Sequence, residues 1–89
     1  MTQEPLICIV DDDEAIRESL RLLLFAEGLQ SSVYESADAF LADKSTPSFD
    51  CMLLDIRMPG TDGLELFSIL NKKHLSYPVI FITGHGDIP

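Results

Sequence analysis

The chain has 89 residues and a formal net charge of −9, from 15 acidic and 6 basic residues, and 46% of its residues are hydrophobic. This is the composition of a single globular domain, and the acidic excess argues against direct binding to nucleic acid or to an anionic membrane. There is no run of about 18 apolar residues and no basic segment before the first apolar stretch, so we expect a cytosolic protein without a membrane span.

The first predicted element is a short strand that ends on acidic residues. Residues 6–10 are apolar, without polar alternation, which is typical of a strand covered on both faces in a parallel sheet. Asp11 and Asp12 follow this run at once. Their carboxylates are therefore expected at the carboxyl end of a buried strand.

A helical pattern comes next. Apolar residues recur at the spacing of one helix face, at Ile16, Leu20, Leu23 and Leu24. Charged residues take the outer side, at Arg17, Glu18, Arg21 and Glu27. Asp12 or Asp13 can cap the N-terminus of this helix, and Gly28 is expected to end it in the left-handed conformation.

The middle of the chain predicts an edge strand, a second helix and a loop. Residues 30–34 are less apolar than the first run, so we expect a short strand at the edge of the sheet. Ser36 begins a second helix, with Phe40 and Leu41 as its apolar contacts. Residues 44–48 are expected to form a loop.

A second apolar run also ends on an acid. Residues 51–54 predict a third strand, and Asp55 follows at once. Residues 58–61 contain proline and glycine and predict a turn. Asp62, with Glu65 three residues later, has the form of a capping box and predicts the start of a third helix.

The third helix and a fourth strand complete the pattern. The apolar face of the helix is expected at Leu64, Leu66, Phe67 and Leu70. Gly60 and Gly63 are most simply interpreted as turn residues. Residues 78–83 predict the fourth strand, which ends on the hydroxyl of Thr83.

The alternation of strands and helices predicts an α/β fold with a doubly wound parallel sheet and right-handed crossovers. If the first and third strands are neighbours, Asp11, Asp12 and Asp55 meet at the edge where open α/β sheets bind ligands. Like charges packed together favour a bound cation, and oxygen ligands suit Mg²⁺, whose waters a phosphate can replace. Thr83 would lie at the same edge, where its hydroxyl could hydrogen-bond a bound group. The residues therefore predict an acidic Mg²⁺ site for a phosphoryl group.

Three motifs, at residues 9–13, 54–63 and 79–87, resemble those of the receiver domain of bacterial two-component response regulators. The last motif is most similar to the FixJ-like subgroup, whose members usually join the receiver to a helix-turn-helix domain. The family's flavodoxin-like or CheY-like fold has five strands in the order 2-1-3-4-5. The family also carries a lysine and an aromatic switch residue near its fifth strand. We therefore expect residues 1–89 to form a receiver domain that is incomplete at the C-terminus, with strand order 2-1-3-4 and without the last α-β-α part.

The resemblance implies a role for each site residue. Asp55 resembles the family's phosphoacceptor, and Thr83 resembles the hydroxyl that turns toward the phosphoryl group. Asp12 resembles the direct Mg²⁺ ligand, and Asp11 the acid that holds the metal through water. The backbone carbonyl of Arg57 resembles the third protein ligand.

The implied function is phosphorylation-dependent signalling. A sensor histidine kinase would supply a phosphoryl group to an aspartate, with Mg²⁺ as cofactor, and the aspartyl phosphate would act as the signal. The module would not be a turnover enzyme, and it would control transcription through a DNA-binding domain outside these residues.

Simpler interpretations stand beside each of these roles. Asp11 and Asp12 could be only helix caps, and Asp55 only the cap of a turn. Thr83 could be only a strand residue. A solvated loop position is the more ordinary interpretation of His85 than a chemical role.

Two other functions remain open at this point. A magnesium-dependent phosphoester hydrolase also uses a nucleophilic aspartate, but such enzymes pair it with a second acid two residues on, where this chain has Arg57. The missing lysine leaves room for an interaction module without phosphorylation.

Cys8 and Cys51 could form a disulfide, although buried free thiols are the simpler expectation. An exposed fourth strand also predicts pairing with a second copy, as a homodimer or by exchange of elements.

Overall fold

The computed structural model describes residues 5–44, 48–75 and 77–82, and within them strands and helices alternate in the predicted order. The third strand is one residue longer than expected, because Asp55 still pairs with Ile82. The strands are β1 (Leu6–Val10), β2 (Gln30–Tyr34), β3 (Cys51–Asp55) and β4 (Val79–Ile82), and the helices are α1 (Glu14–Ala26), α2 (Ala37–Ala42) and α3 (Gly63–Lys72).

All strand pairs are parallel, and the order in the sheet is β2-β1-β3-β4. This confirms the predicted doubly wound α/β architecture. Val10 pairs with Leu54 across β1 and β3. The residues that follow, Asp11 on one strand and Asp55 on the other, are therefore level with each other at the carboxyl edge.

The main core lies on the face of the sheet that α2 and α3 cover. Most of its members come from alternate positions of β1 and β3 and from the two helices, among them Cys8, Val10, Met52, Leu54, Phe40, Leu66 and Leu70. On the opposite face, α1 lies against β1 and β2. A row of paired residues crosses that face: Val33, Ile9, Leu53 and Ile80.

The three helices begin where the sequence predicts, and α1 also ends there. Asp13 caps α1, and its side chain accepts hydrogen bonds from the backbone N–H groups of Ala15 and Ile16. Asp62 and Glu65 form the reciprocal capping box of α3. After α1, Gly28 adopts a φ of 81°, the left-handed conformation that glycine tolerates best.

Two predicted core positions are wrong. Leu23 is 61% exposed, because the apolar stripe of α1 is narrower than the sequence suggested and consists of the half-buried Ile16, Leu20 and Leu24. Leu64 is 54% exposed. It comes two residues before the buried Leu66 and so projects about 200° around the helix from it.

The two cysteines are free thiols, as expected, but only Cys8 is buried and Cys51 is half-buried. Burial raises the pKa of Cys8 to about 12, so this thiol stays neutral and packs as a small apolar side chain. No helix in the described ranges is both long enough and apolar enough to cross a membrane.

Candidate functional site

Three aspartates converge at the carboxyl edge of the sheet, at the ends of β1 and β3. Asp11, Asp12 and Asp55 each offer a carboxylate oxygen, and these oxygens all lie within 4.8 Å of one another. Asp11 and Asp55 are fully buried, whereas Asp12 is exposed. The site is therefore a buried pair of acids with a third acid at its solvent side.

The two buried acids are held by the same kind of turn. The backbone N–H of Asp13 donates to Asp11 Oδ1 over 2.8 Å, and the backbone N–H of Arg57 donates to Asp55 Oδ1 over 3.0 Å. In both turns an aspartate accepts a hydrogen bond from the residue two positions later, which is the usual Asx-turn geometry. Each turn fixes the orientation of its carboxylate.

The loop after β1 is held by a side chain that sequence reasoning placed on the solvent side of α1. Arg17 is half-buried, and its Nη1 donates to the backbone carbonyl oxygen of Asp11 over 2.8 Å. The backbone N–H of Asp11 donates to the carbonyl oxygen of Tyr34 over 3.2 Å. One feature of the sequence could have indicated this role for Arg17: its long cationic side chain lies within two helical turns of a strand that ends on acidic residues.

The loop after β3 is held by the close approach of α3. A Cβ atom on Gly63 would lie 2.2 Å from the carbonyl oxygen of Asp55, which no real contact allows. Gly63 is thus required by packing rather than by a turn, which corrects the sequence-based interpretation. Gly60 does have a turn conformation, with φ of 75°. Thr61 Oγ1 donates to Asp38 Oδ1 of α2 over 3.0 Å and ties the same loop to a second helix.

A depression of about 560 Å³ is lined by Ile56, Arg57, Met58, Pro59 and Asp62. These residues belong to the loop that follows β3, whereas Asp55 itself is fully buried and is not among the lining residues. Thr83 and His85 lie outside the described residues.

The donor set fits Mg²⁺. All three side chains offer oxygen atoms, and hard oxygen ligands are those that Mg²⁺ prefers. Closely packed carboxylates repel one another, and a cation relieves that repulsion. No histidine or cysteine belongs to this acidic group in the described part of the chain, so it lacks the nitrogen and sulfur donors that favour zinc.

Known proteins resemble this chain in both sequence and structure. FixJ of Bradyrhizobium diazoefficiens, named a transcriptional regulatory protein, is 40% identical over all 89 residues and 43% of its own length. The response regulator protein TmoT of Ectopseudomonas mendocina is 45% identical over 98% of this chain and 40% of TmoT. The chain thus spans about two-fifths of the length of these relatives.

Among solved structures, a FixJ-N crystal structure matches with a TM-score of 0.83 and 38% identity, over 99% of this chain and 70% of that one. The response regulator TrrA of Thermotoga maritima, solved in complex with Mg(2+)-BeF, matches with a TM-score of 0.82 and 33% identity, over 92% of this chain and 71% of that one. The family model of the response regulator receiver domain matches residues 7–89. The chain therefore belongs to the response regulator receiver domain family.

Proposed function

We propose that Asp55 accepts a phosphoryl group from a sensor histidine kinase and that the resulting aspartyl phosphate is the signal. One observation carries the proposal: three carboxylates of a receiver-family chain lie within 4.8 Å of one another at the carboxyl edge of its sheet. Asp55 is the acid at the end of β3, and the loop that follows it lines a surface depression. A carboxylate is a competent phosphoryl acceptor, so the residue type suits the role.

In the proposed transfer, Asp55 attacks the phosphorus atom of a phosphohistidine. A P–O bond forms and the P–N bond breaks, and the electron pair stays on the imidazole nitrogen, which takes up a proton. The turn that fixes Asp55 also aims the backbone N–H of Arg57 at its carboxylate. Positioning of the nucleophile is the main contribution that the protein can make to this type of reaction.

We propose that Asp11, Asp12, Asp55 and the backbone carbonyl of Arg57 hold Mg²⁺. When bound, Mg²⁺ neutralises negative charge on the acids and on the transferring group. Asp13 is not assigned to the metal, because its side chain already caps α1. Thr83 is proposed to turn its hydroxyl toward the phosphoryl group and so to transmit the signal.

The test is phosphorylation of the chain by a small phosphodonor with Mg²⁺, followed by borohydride trapping and mass spectrometry. We expect one phosphoryl group per chain, on Asp55, and none in Asp55→Asn. This substitution is nearly isosteric and keeps the oxygen that accepts from Arg57 N–H, so the urea midpoint should not fall. A phosphoryl group on Asp11, Asp12 or His85 would refute the assignment.

The same incubation separates the other functions. A mass gain that is slowly lost indicates a receiver, and continuous phosphate release would indicate a hydrolase. The loop after β3 does not favour continuous phosphate release by hydrolysis. A hydrolase would need a second acid at position 57, where this chain has an exposed arginine whose backbone N–H donates to Asp55. An unmodified chain with wild-type folding would indicate an interaction module.

We also propose that residues 1–89 are the receiver part of a transcription regulator and are incomplete at the C-terminus. The names of FixJ and TmoT support a regulatory role, and the chain covers 43% and 40% of these two relatives. These residues are not expected to contact nucleic acid, since the net charge is −9. Control of transcription would then be exerted by another part of the regulator.

A further inference from the structure

The peptide bond that joins two of the site's acids is held by one side chain. Arg17 lies in the second turn of α1, and its Nη1 donates to the carbonyl oxygen of Asp11 over 2.8 Å. This carbonyl belongs to the peptide unit between Asp11 and Asp12. Because a peptide unit is planar, a fixed carbonyl oxygen also fixes the direction of the Asp12 N–H.

The neighbours of Asp12 are fixed as well. The backbone N–H of Asp11 is anchored to Tyr34 O over 3.2 Å, and the Asp11 carboxylate accepts from Asp13 N–H over 2.8 Å. Asp13 in turn is anchored to the first turn of α1. Asp12 is exposed and lies between these two fixed residues. The bond from Arg17 is a side-chain contact on the peptide unit from which Asp12 projects.

We infer that Arg17 is a positioning residue of the metal site: by holding the Asp11–Asp12 peptide, it keeps Asp12 directed toward Asp11 and Asp55. The inference rests on the proposed function, since it assumes that these acids bind Mg²⁺. Groups that orient metal ligands without touching the metal commonly change metal affinity 10- to 100-fold. A ligand that is already oriented loses less conformational freedom when the ion binds.

The charge of Arg17 would act in the opposite direction. The guanidinium contacts the Asp11 backbone near the metal site and repels a divalent cation, so removing that charge alone should tighten Mg²⁺ binding. Removing the hydrogen bond alone should weaken it. The two roles therefore predict changes of opposite sign.

The experiment is an NMR titration of the chain with Mg²⁺, following the backbone amides of Asp12 and Asp55. Arg17→Met keeps much of the aliphatic stem but loses both the charge and the donor, and we expect its affinity to fall about tenfold. Arg17→Lys keeps the charge and one shorter donor, and should bind with intermediate affinity. Before any Mg²⁺ is added, the Asp12 amide should already be shifted in Arg17→Met.

Arg21 provides the matched control. It lies one turn further along α1 and pairs with Glu18, its Nε donating to Glu18 Oε2 over 3.0 Å. Arg21→Met removes the same charge from the same helix and should bind Mg²⁺ within about twofold of wild type.

The outcomes are distinct. If Arg17→Met and Arg17→Lys both bind Mg²⁺ as tightly as wild type, or more tightly, the inference is overturned and the proposed function still stands. A wild-type chain that does not bind Mg²⁺ would refute the metal site itself. Should Arg17→Met fail to fold, Arg17→Lys decides: weaker binding than wild type supports positioning, and wild-type affinity contradicts it.

Discussion

Asp11 and Asp55 occupy equivalent places in two copies of one local structure, a buried strand that ends in an Asx-turn. In each copy, one carboxylate oxygen accepts a backbone N–H, so the orientation of the side chain is fixed by the chain itself. Asp12 differs, since it is exposed. The site thus combines two acids whose carboxylates accept backbone N–H groups with an exposed third acid, which we infer to be directed through Arg17.

The stabilisation of the fold by Mg²⁺ should depend on Asp12 and not on its neighbour Asp13. An ion that binds only the folded chain raises the free energy of unfolding by RT ln(1 + [L]/Kd), about 1.4 kcal/mol at ten times Kd. We expect Asp12→Ala to abolish this gain in urea denaturation with and without Mg²⁺.

Asp13→Ala is the control for that measurement. It should lower the free energy of unfolding by about 1 kcal/mol through loss of the α1 cap and yet keep the Mg²⁺ response. Equal loss of the response in both variants would mean that the acids are assigned in the wrong register.

At the scale of the element, α3 and the site depend on each other. Gly63, the first residue of α3, packs on the carbonyl of Asp55. The backbone N–H of Gly63 donates to the carbonyl oxygen of Ile56 over 3.1 Å. The capping box starts the helix at this point, so α3 runs away from the site with its N-terminus against β3. The position of the proposed phosphoacceptor therefore depends on how closely a helix can approach a strand.

Gly63→Ala should disrupt this contact. The added Cβ would meet backbone atoms, which cannot rotate away as a side chain can, so we expect a loss of about 1–3 kcal/mol in the free energy of unfolding. Ser68→Ala, at an exposed position of the same helix, should change stability by less than about 0.5 kcal/mol. The comparison is made by urea denaturation. Equal midpoints for the two variants would show that α3 can shift without cost.

Local signals predicted the elements well and their contacts less well. Residues such as Asp13, Gly28 and Asp62 act within a few positions of themselves, so their roles follow from the sequence alone. Arg17 and Gly63 act on a strand end that another part of the chain brings close, and no periodicity reports such a contact. The convergence of the acids was predictable because parallel strands align their carboxyl ends.

At the scale of the whole molecule, the two faces of the sheet are covered unequally. On the α1 face, Ile9 is fully buried in the middle of the cross-strand row. Val33 at one end of the row is 41% exposed, and Ile80 at the other end is 57% exposed. Within the described residues, β4 also pairs only with β3, so its outer edge can accept another strand.

We predict that the 89-residue chain associates through the β4 region at micromolar concentration. Sedimentation velocity should show a concentration-dependent species larger than the monomer. Ile80→Lys should shift it toward monomer, because the charge would be buried on pairing. Val33→Lys, at the opposite end of the same row, should leave association unchanged. A wild-type chain that sediments as a monomer at every concentration and unfolds cooperatively would contradict the prediction.

The register of β1 and β3 has a consequence for how the site can be lost. Side chains alternate along a strand, so a slip of one residue between β1 and β3 would bring Ile56 level with Asp11 and turn Asp55 to the other face. Every acid would still be present, yet the cluster would no longer exist. Deletion or insertion of a single residue within β3 would therefore disrupt the acidic cluster much as substitution of Asp55 would. The site depends on the register of the two strands as well as on the identity of its side chains.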